Sequence, residues 1–147
     1  MITIFLELLA TFCAGVFFGA AVYISIVQHP AALNAGGGVP GRFFAPMYRR
    51  AAPMQASLAL IGSVAGSIAW FTGSGWPWLV GGLLLFAVVP FTFLRMMSVN
   101  NKLKEPGRDP EASETLALLH QWGRLHMVRS VLSALAFVTF LLQLAVQ

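Results

Sequence analysis

The chain has 147 residues, of which 58% are hydrophobic and only 10% are charged. Soluble domains carry about 25% charged residues, so this composition excludes an ordinary water-soluble fold and favours a membrane protein. The net charge of +4 does not indicate nucleic-acid binding, because the basic residues form no stripe and match no nucleic-acid-binding pattern. We therefore expect one domain over residues 1–147, with the lipid bilayer and no nucleic acid as its partner.

Four apolar segments are long enough to cross a hydrocarbon core, which takes roughly 20 helical residues. They cover residues 2–27, 54–72, 76–97 and 126–146. The first is expected to end before Pro30 and the second to begin after Pro53, because proline disfavours helix in the residue before it. Since unpaired backbone groups are not tolerated in lipid, the sequence predicts an all-α fold, a four-helix transmembrane bundle.

The connection before the fourth segment carries a helix-start pattern. Asp109 resembles an N-cap, Pro110 suits the first helical position, and Glu111 and Glu114 are acidic residues of a first turn. The fourth helix is therefore expected to extend N-terminally, either out of the bilayer or along its surface.

The distribution of basic residues predicts the orientation of the bundle. All nine Lys and Arg residues lie in or beside the first and third connections, whereas the short turn at 72–75 carries none. Basic connections stay on the cytoplasmic side, so both termini are expected outside. We predict an integral protein of the inner, cytoplasmic membrane of a bacterium.

Small residues recur one helical turn apart in the first two segments. Gly15 precedes Gly19 by four residues, and Gly62 precedes Gly66 by four. Such spacing allows two helices to approach closely. We interpret it as packing within the bundle, while a homo-oligomer remains open because the pattern specifies no partner.

Polar side chains reach one membrane level at the basic end of all four segments. Charged or polar residues at the ends of transmembrane helices usually face the bundle interior or a wet cavity. Three of them share one face of the fourth helix through i, i+4, i+7 spacing. The set predicts a polar site made of His29, Tyr48, Arg49, Asn100, Trp122, His126 and Arg129.

Each of these residues also has a structural interpretation. His29 and His126 suit hydrogen bonding to helix-end carbonyls, and Arg49 suits an anchor at lipid headgroups. Trp122 suits an interfacial anchor. His120 is expected to point to solvent, because it lies two residues from the face of Trp122.

The order of these residues resembles the anthrone-oxygenase-like membrane family. The match consists of Gly-Ala-Ala-Val-Tyr-Ile at 19–24 before His29-Pro30, Pro90-x-Thr92, Asn100-x-x-Leu103 and Trp122-x-x-x-His126-x-x-Arg129. One departure is Ser98, where the family often has proline. The resemblance implies a four-helix membrane domain, and some members of the family oxidise anthrones to anthraquinones. It also implies functional roles for His29, Asn100, Trp122, His126 and Arg129.

Three functional hypotheses follow. The first is an oxidoreductase or oxygenase without a cofactor that acts on a lipophilic aromatic or quinone-like molecule. In it His126 or His29 removes a proton, Arg129, Asn100 and Trp122 stabilise the oxyanion, and Tyr48 and Arg49 bind substrate. The second is a metal- or haem-binding redox protein with His29 and His126 as ligands. The third is a non-catalytic membrane assembly module or a transporter.

Overall fold

The computed structural model describes residues 1–146 and confirms the predicted all-α bundle. Within these residues there is no β-strand. Four helices are long and apolar enough to cross a membrane. They are α1 (Ile2–Ala35), α2 (Val39–Ser74), α3 (Trp76–Leu103) and α4 (Ser113–Ala145).

The four helices are arranged as a square around one interior. Helix α1 packs against α2 and α4, and α3 packs against the same two helices, whereas the diagonal pairs α1–α3 and α2–α4 have few contacts. Short connections between antiparallel neighbours produce this arrangement. Toward the 72–75 turn the interior is mostly apolar and includes Trp78 and Phe140, although Glu7 and Ser63 are also buried in that half. We call the opposite end, where the basic residues lie, the basic end.

Helix α1 continues past Pro30, so the prediction that it ends there was wrong. A wide π-helical turn, Ile24–Gln28, precedes the proline, and the His29 N–H donates to Ile24 O, five residues back. Proline lacks an N–H, and its ring would clash with the carbonyl four residues earlier in a regular α-helix. The wider turn relieves this conflict, and the helix extends to Ala35.

Helix α2 begins at Val39 and contains both Pro46 and Pro53, so the predicted start at residue 54 was also wrong. Bundles in membranes tolerate such prolines because neighbouring groups pair the freed carbonyls. At about 1.5 Å per residue, the 36 residues of α2 span about 54 Å, against a hydrocarbon core of about 30 Å. The helices therefore project beyond the bilayer core at one or both ends.

Helix α4 is extended N-terminally as predicted, but it begins at Ser113 rather than beside Asp109. Asp109 instead stabilises the turn before the helix. Its Oδ1 accepts from the Glu111 N–H at 2.9 Å, and its carbonyl accepts from Thr115 Oγ1 at 2.7 Å. The Asp109 carboxylate was predicted to cap the helix, but it accepts a hydrogen bond within the turn that precedes α4.

Close helix packing at the paired glycines is confirmed for three of the four positions. A Cβ placed on Gly62 would lie 2.7 Å from a Leu85 methyl group, and Gly15 and Gly66 are similarly crowded by neighbouring helices. Nothing lies within 4 Å of such a Cβ at Gly19. The crowding partners belong to this chain, so these glycines serve packing inside the bundle.

Candidate functional site

Trp122 lies at the centre of the basic end and is only 3% exposed. The His126 ring stacks on its indole at 4.7 Å between centroids. The His29 ring is tilted against it at 5.1 Å, and Phe44 contacts it edge-on at 5.3 Å. Trp122 therefore lies inside the bundle and is not an anchor at the lipid interface.

A hydrogen-bond chain runs from Trp122 through Asn100 to Tyr48. Trp122 Nε1 donates to Asn100 Oδ1 at 3.0 Å, and Asn100 Nδ2 donates to Tyr48 Oη at 3.2 Å. An indole N–H can only donate, so it fixes which end of the Asn100 amide faces Tyr48. The Tyr48 oxygen then accepts from Asn100, and its own hydrogen is left for another acceptor.

His126 is held by two serines. Its Nδ1 lies 2.9 Å from Ser25 Oγ, which lies 2.8 Å from Ser130 Oγ. Ser25 belongs to the π-helical turn Ile24–Gln28. Helices α1 and α4 thus fix the orientation of an imidazole that is 1% exposed.

His29 is hydrogen-bonded to the backbone of α4. Its Nε2 lies 3.0 Å from Leu119 O, and because a carbonyl only accepts, Nε2 carries the proton. A Cβ on Gly123 would lie 2.8 Å from the His29 ring, so only glycine there permits this approach. The predicted carbonyl-bonded role of His29 is therefore observed, and Nδ1 is the ring nitrogen left over.

Arg129 and Gln55 join α4 to α2 in the bundle interior. Arg129 Nη2 donates to Gln55 Oε1 at 2.8 Å, and the guanidinium carbon lies 5.5 Å from the centroid of the Phe17 ring. Arg129 is 8% exposed and Gln55 is 2% exposed. Among the described residues, Arg129 Nε and Gln55 Nε2 have no hydrogen-bond partner. The pair thus contains two buried donors without acceptors.

A cavity of about 260 Å³ lies beside this pair. Pro53, Ala56 and Phe93, which belong to its wall, are exposed, so the cavity opens at the apolar surface of the bundle between α2 and α3. The wall is mostly apolar. It is formed by Phe17, Tyr48, Ala52, Pro53, Gln55, Ala56, Ala59, Val88, Val89, Thr92, Phe93, Met97 and Arg129.

The structure brings most of the predicted polar residues together at the basic end, in two groups. Tyr48 and Arg129 line the cavity. His29, Asn100 and His126 surround Trp122 instead. Tyr48 connects the groups, since it lines the cavity and binds Asn100.

Two residues near this site face outward. Arg49 is exposed and does not line the cavity, so its role in substrate binding stays a prediction. His120 is exposed, as predicted. The basic end therefore has one arginine, Arg129, in the cavity wall.

Sequence reasoning missed Gln55, Ser25 and Ser130. Gln55 had a detectable signal, because it is the sole amide or charged residue between positions 51 and 72, and polar side chains inside membrane spans usually have a function. Ser25 and Ser130 had no such signal, because serine is common where membrane helices pack closely.

No three His, Cys, Asp or Glu side chains come together as a metal site in residues 1–146. The predicted ligands are the two imidazoles alone. His29 has Nε2 bonded to Leu119 O, and His126 has Nδ1 bonded to Ser25. Each ring therefore has one nitrogen left for a ligand, and metal or haem binding stays a prediction.

Two comparisons with known proteins found matches to this chain. The sequence model of the family described as anthrone oxygenase matches residues 44–139. The chain is 31% identical over 144 residues to anthrone oxygenase tpcL of Aspergillus fumigatus, and the match covers 91% of this chain and 87% of that protein. No solved structure matches. With a family match over most of its length and a relative of this similarity, the chain belongs to the anthrone oxygenase family.

Proposed function

We propose that this protein is a membrane oxygenase for lipophilic aromatic ketones of the anthrone type. The observation that carries the proposal is the position of Arg129, a buried cation in the wall of an apolar cavity of about 260 Å³. The Aspergillus fumigatus relative is an anthrone oxygenase, which supports the same chemistry. In this proposal the basic end faces the cytoplasm, because membrane proteins keep basic segments on that side.

The reaction needs a carbon acid and dioxygen. The CH₂ carbon of such a ketone loses a proton, and the electron pair of the broken C–H bond moves onto the ketone oxygen as an enolate. The same carbon then bonds to O₂, and a proton completes a hydroperoxide. Loss of water, with the second C–H proton, leaves a new carbonyl. One O₂ is consumed, one of its oxygen atoms enters the product, and no external reductant is required.

The residues of the basic end are suited to two parts of this reaction. Arg129 places a fixed positive charge where the enolate oxygen develops, and preorganised charge in a dry site is a large source of catalysis. His126 lies three residues before Arg129 on the same helical face but outside the cavity wall, so we propose that it receives the first proton through one intervening water rather than from the substrate directly. Ser25 fixes its ring through Nδ1.

Oxygen uptake by protein purified into nanodiscs tests the proposal directly. Anthrone is the probe, and its spontaneous oxidation in empty discs is subtracted. We expect one O₂ consumed per anthraquinone formed, with large losses in Arg129→Met and His126→Gln. The control for the second variant is His120→Gln, which replaces an exposed imidazole and should leave the rate unchanged. A wild-type rate equal to that of empty discs would favour a non-catalytic assembly module.

Elemental analysis and an absorption spectrum of the same preparation test the metal or haem alternative. A stoichiometric metal or haem band that is lost in folded His29→Ala and His126→Ala would assign these imidazoles as ligands and overturn the role of His126 as the base. Oxygen uptake that persists in metal-free, colourless protein supports the role given to the side chains.

A further inference from the structure

We propose that the cavity contains a donor-only oxygen site, defined by the three unengaged polar hydrogens of Gln55, Arg129 and Tyr48, which selects apolar molecules carrying a carbonyl or enolate oxygen. This inference deepens the proposed function, because it names the chemical feature that the site recognises. It also assigns a specificity-determining role to Gln55. Binding alone tests it, without turnover.

The orientation of the Gln55 amide follows from its partner. A guanidinium can only donate hydrogen bonds, so the atom that faces Arg129 Nη2 at 2.8 Å is the amide oxygen. The NH₂ group therefore points away from that contact, and its nitrogen has no partner among the described residues. A buried donor without an acceptor costs about 1–3 kcal/mol, which a ligand oxygen in the cavity would recover.

Arg129 contributes a second donor. Its Nε–H also has no partner in the described part of the chain, and the residue is 8% exposed. Both residues form part of the same cavity wall. A carbonyl oxygen has two lone pairs, and in this proposal one ligand oxygen accepts from both nitrogens.

Tyr48 contributes the third donor, its hydroxyl hydrogen. Its oxygen accepts from Asn100 Nδ2, and the Asn100 amide cannot be reversed because its oxygen accepts from the Trp122 N–H. The Tyr48 hydroxyl hydrogen is therefore free of Asn100, and the residue lines the cavity. Asn100 and Trp122 are positioning residues here, since they orient Tyr48.

Thr92, the remaining polar side chain in the wall, adds no free donor. Thr92 donates its hydroxyl hydrogen to Val88 O at 2.7 Å, and no Asp, Glu or His lines the cavity. The unengaged polar hydrogens in the wall therefore belong to Gln55, Arg129 and Tyr48, and a ligand must bring the acceptors for them. A ketone, quinone or enolate does so, whereas a hydrocarbon brings none.

The test measures binding of two probes of the same shape. Anthraquinone has two carbonyl oxygens and cannot turn over, and anthracene has the same three rings without oxygen. Equilibrium dialysis between protein-loaded and empty nanodiscs removes the contribution of simple partitioning into lipid. We expect about one anthraquinone retained per protein, at least tenfold tighter than anthracene, because a single net hydrogen bond corresponds to roughly a tenfold change in affinity.

Substitutions at Gln55 decide whether the amide donor is responsible. Gln55→Glu keeps an oxygen for Arg129 but removes the donor, so we expect the preference for anthraquinone to fall by about tenfold. Gln55→Met removes both groups and gives a second measurement if either variant is unstable. Gln121→Met, an exposed amide on α4, is the matched control and should bind like the wild type.

The outcomes separate this inference from the proposed function. Equal binding of the two probes, or a preference that is unchanged in folded Gln55→Glu, would overturn the donor-only site. Selective quinone binding without any anthrone-dependent oxygen uptake would keep the site and reject the oxygenase. Anthrone-dependent oxygen uptake by a protein that binds anthraquinone and anthracene equally would keep the oxygenase and reject the donor-only site.

Discussion

Arg129 Nη2 lies 2.8 Å from Gln55 Oε1, and this hydrogen bond connects the diagonal helices α4 and α2, which otherwise have few contacts. Both side chains are buried. The bond therefore has two consequences, since it fixes the guanidinium beside the cavity and crosses the interior of the bundle. Removal of either side chain would leave the other with an unpaired polar group in the bundle interior.

Arg129→Lys keeps the positive charge but removes Nε and the planar geometry of the guanidinium. We expect kcat for anthrone-dependent oxygen uptake to fall at least about 100-fold, as it does when one oxyanion donor is removed from other enzymes. Arg124→Lys is the control, because Arg124 is exposed on the same helix. Activity close to that of the wild type in Arg129→Lys would show that charge alone suffices.

Gly123→Ala should displace the His29 imidazole. The added Cβ would lie 2.8 Å from the ring, and such overpacking typically costs about 1–3 kcal/mol. A lower thermal midpoint in detergent is the measurement. Gly19→Ala is the matched control, because nothing lies within 4 Å of a Cβ there and alanine favours helix over glycine. If both variants melt alike, the contact between His29 and α4 contributes little to stability.

Asn100→Leu should destabilise the basic end. It removes the acceptor of the buried Trp122 N–H and the donor to Tyr48, and each unsatisfied buried group costs about 1–3 kcal/mol. Thermal unfolding in detergent measures the loss, and Asn101→Leu, an exposed neighbour, is the control. A midpoint equal to that of Asn101→Leu would mean that the chain from Trp122 to Tyr48 adds no net stability.

The orientation can be tested with single cysteines. Asn101→Cys lies at the basic end and Thr72→Cys lies at the opposite turn, while the native Cys13 is buried. We expect a membrane-impermeant thiol reagent to label Thr72→Cys in intact cells and to label Asn101→Cys after the cytoplasmic face is opened, since basic segments remain inside. The reverse pattern would place the basic end outside.

The number of helices could be predicted from sequence, because a span of about 20 apolar residues has few other solutions in lipid. Their ends could not. Pro30 and Pro53 looked like boundaries, yet both lie within helices. At Pro30 a π-helical turn absorbs the conflict. Ser25 of that turn bonds to His126 of α4, a contact that a single sequence does not show.

The candidate site was only partly predictable, because a sequence shows which residues share a helix face but not which residues of other helices they contact. Helical spacing placed Trp122, His126 and Arg129 on one face, and all three are buried in the structure. Spacing along one helix could not show that Arg129 meets Gln55, 74 positions away in sequence. It also could not show that Trp122 directs its N–H to Asn100 rather than toward a ligand.

The opening of the cavity between α2 and α3 has a consequence for how the protein encounters its ligands. Exposed Pro53, Ala56 and Phe93 surround this opening on an apolar surface, so we expect molecules dissolved in the bilayer to reach it without crossing water. The concentration that matters is then the mole fraction of ligand in lipid. Adding lipid at constant total ligand should dilute it, and an apparent KM written in molar units should rise in proportion to the lipid present.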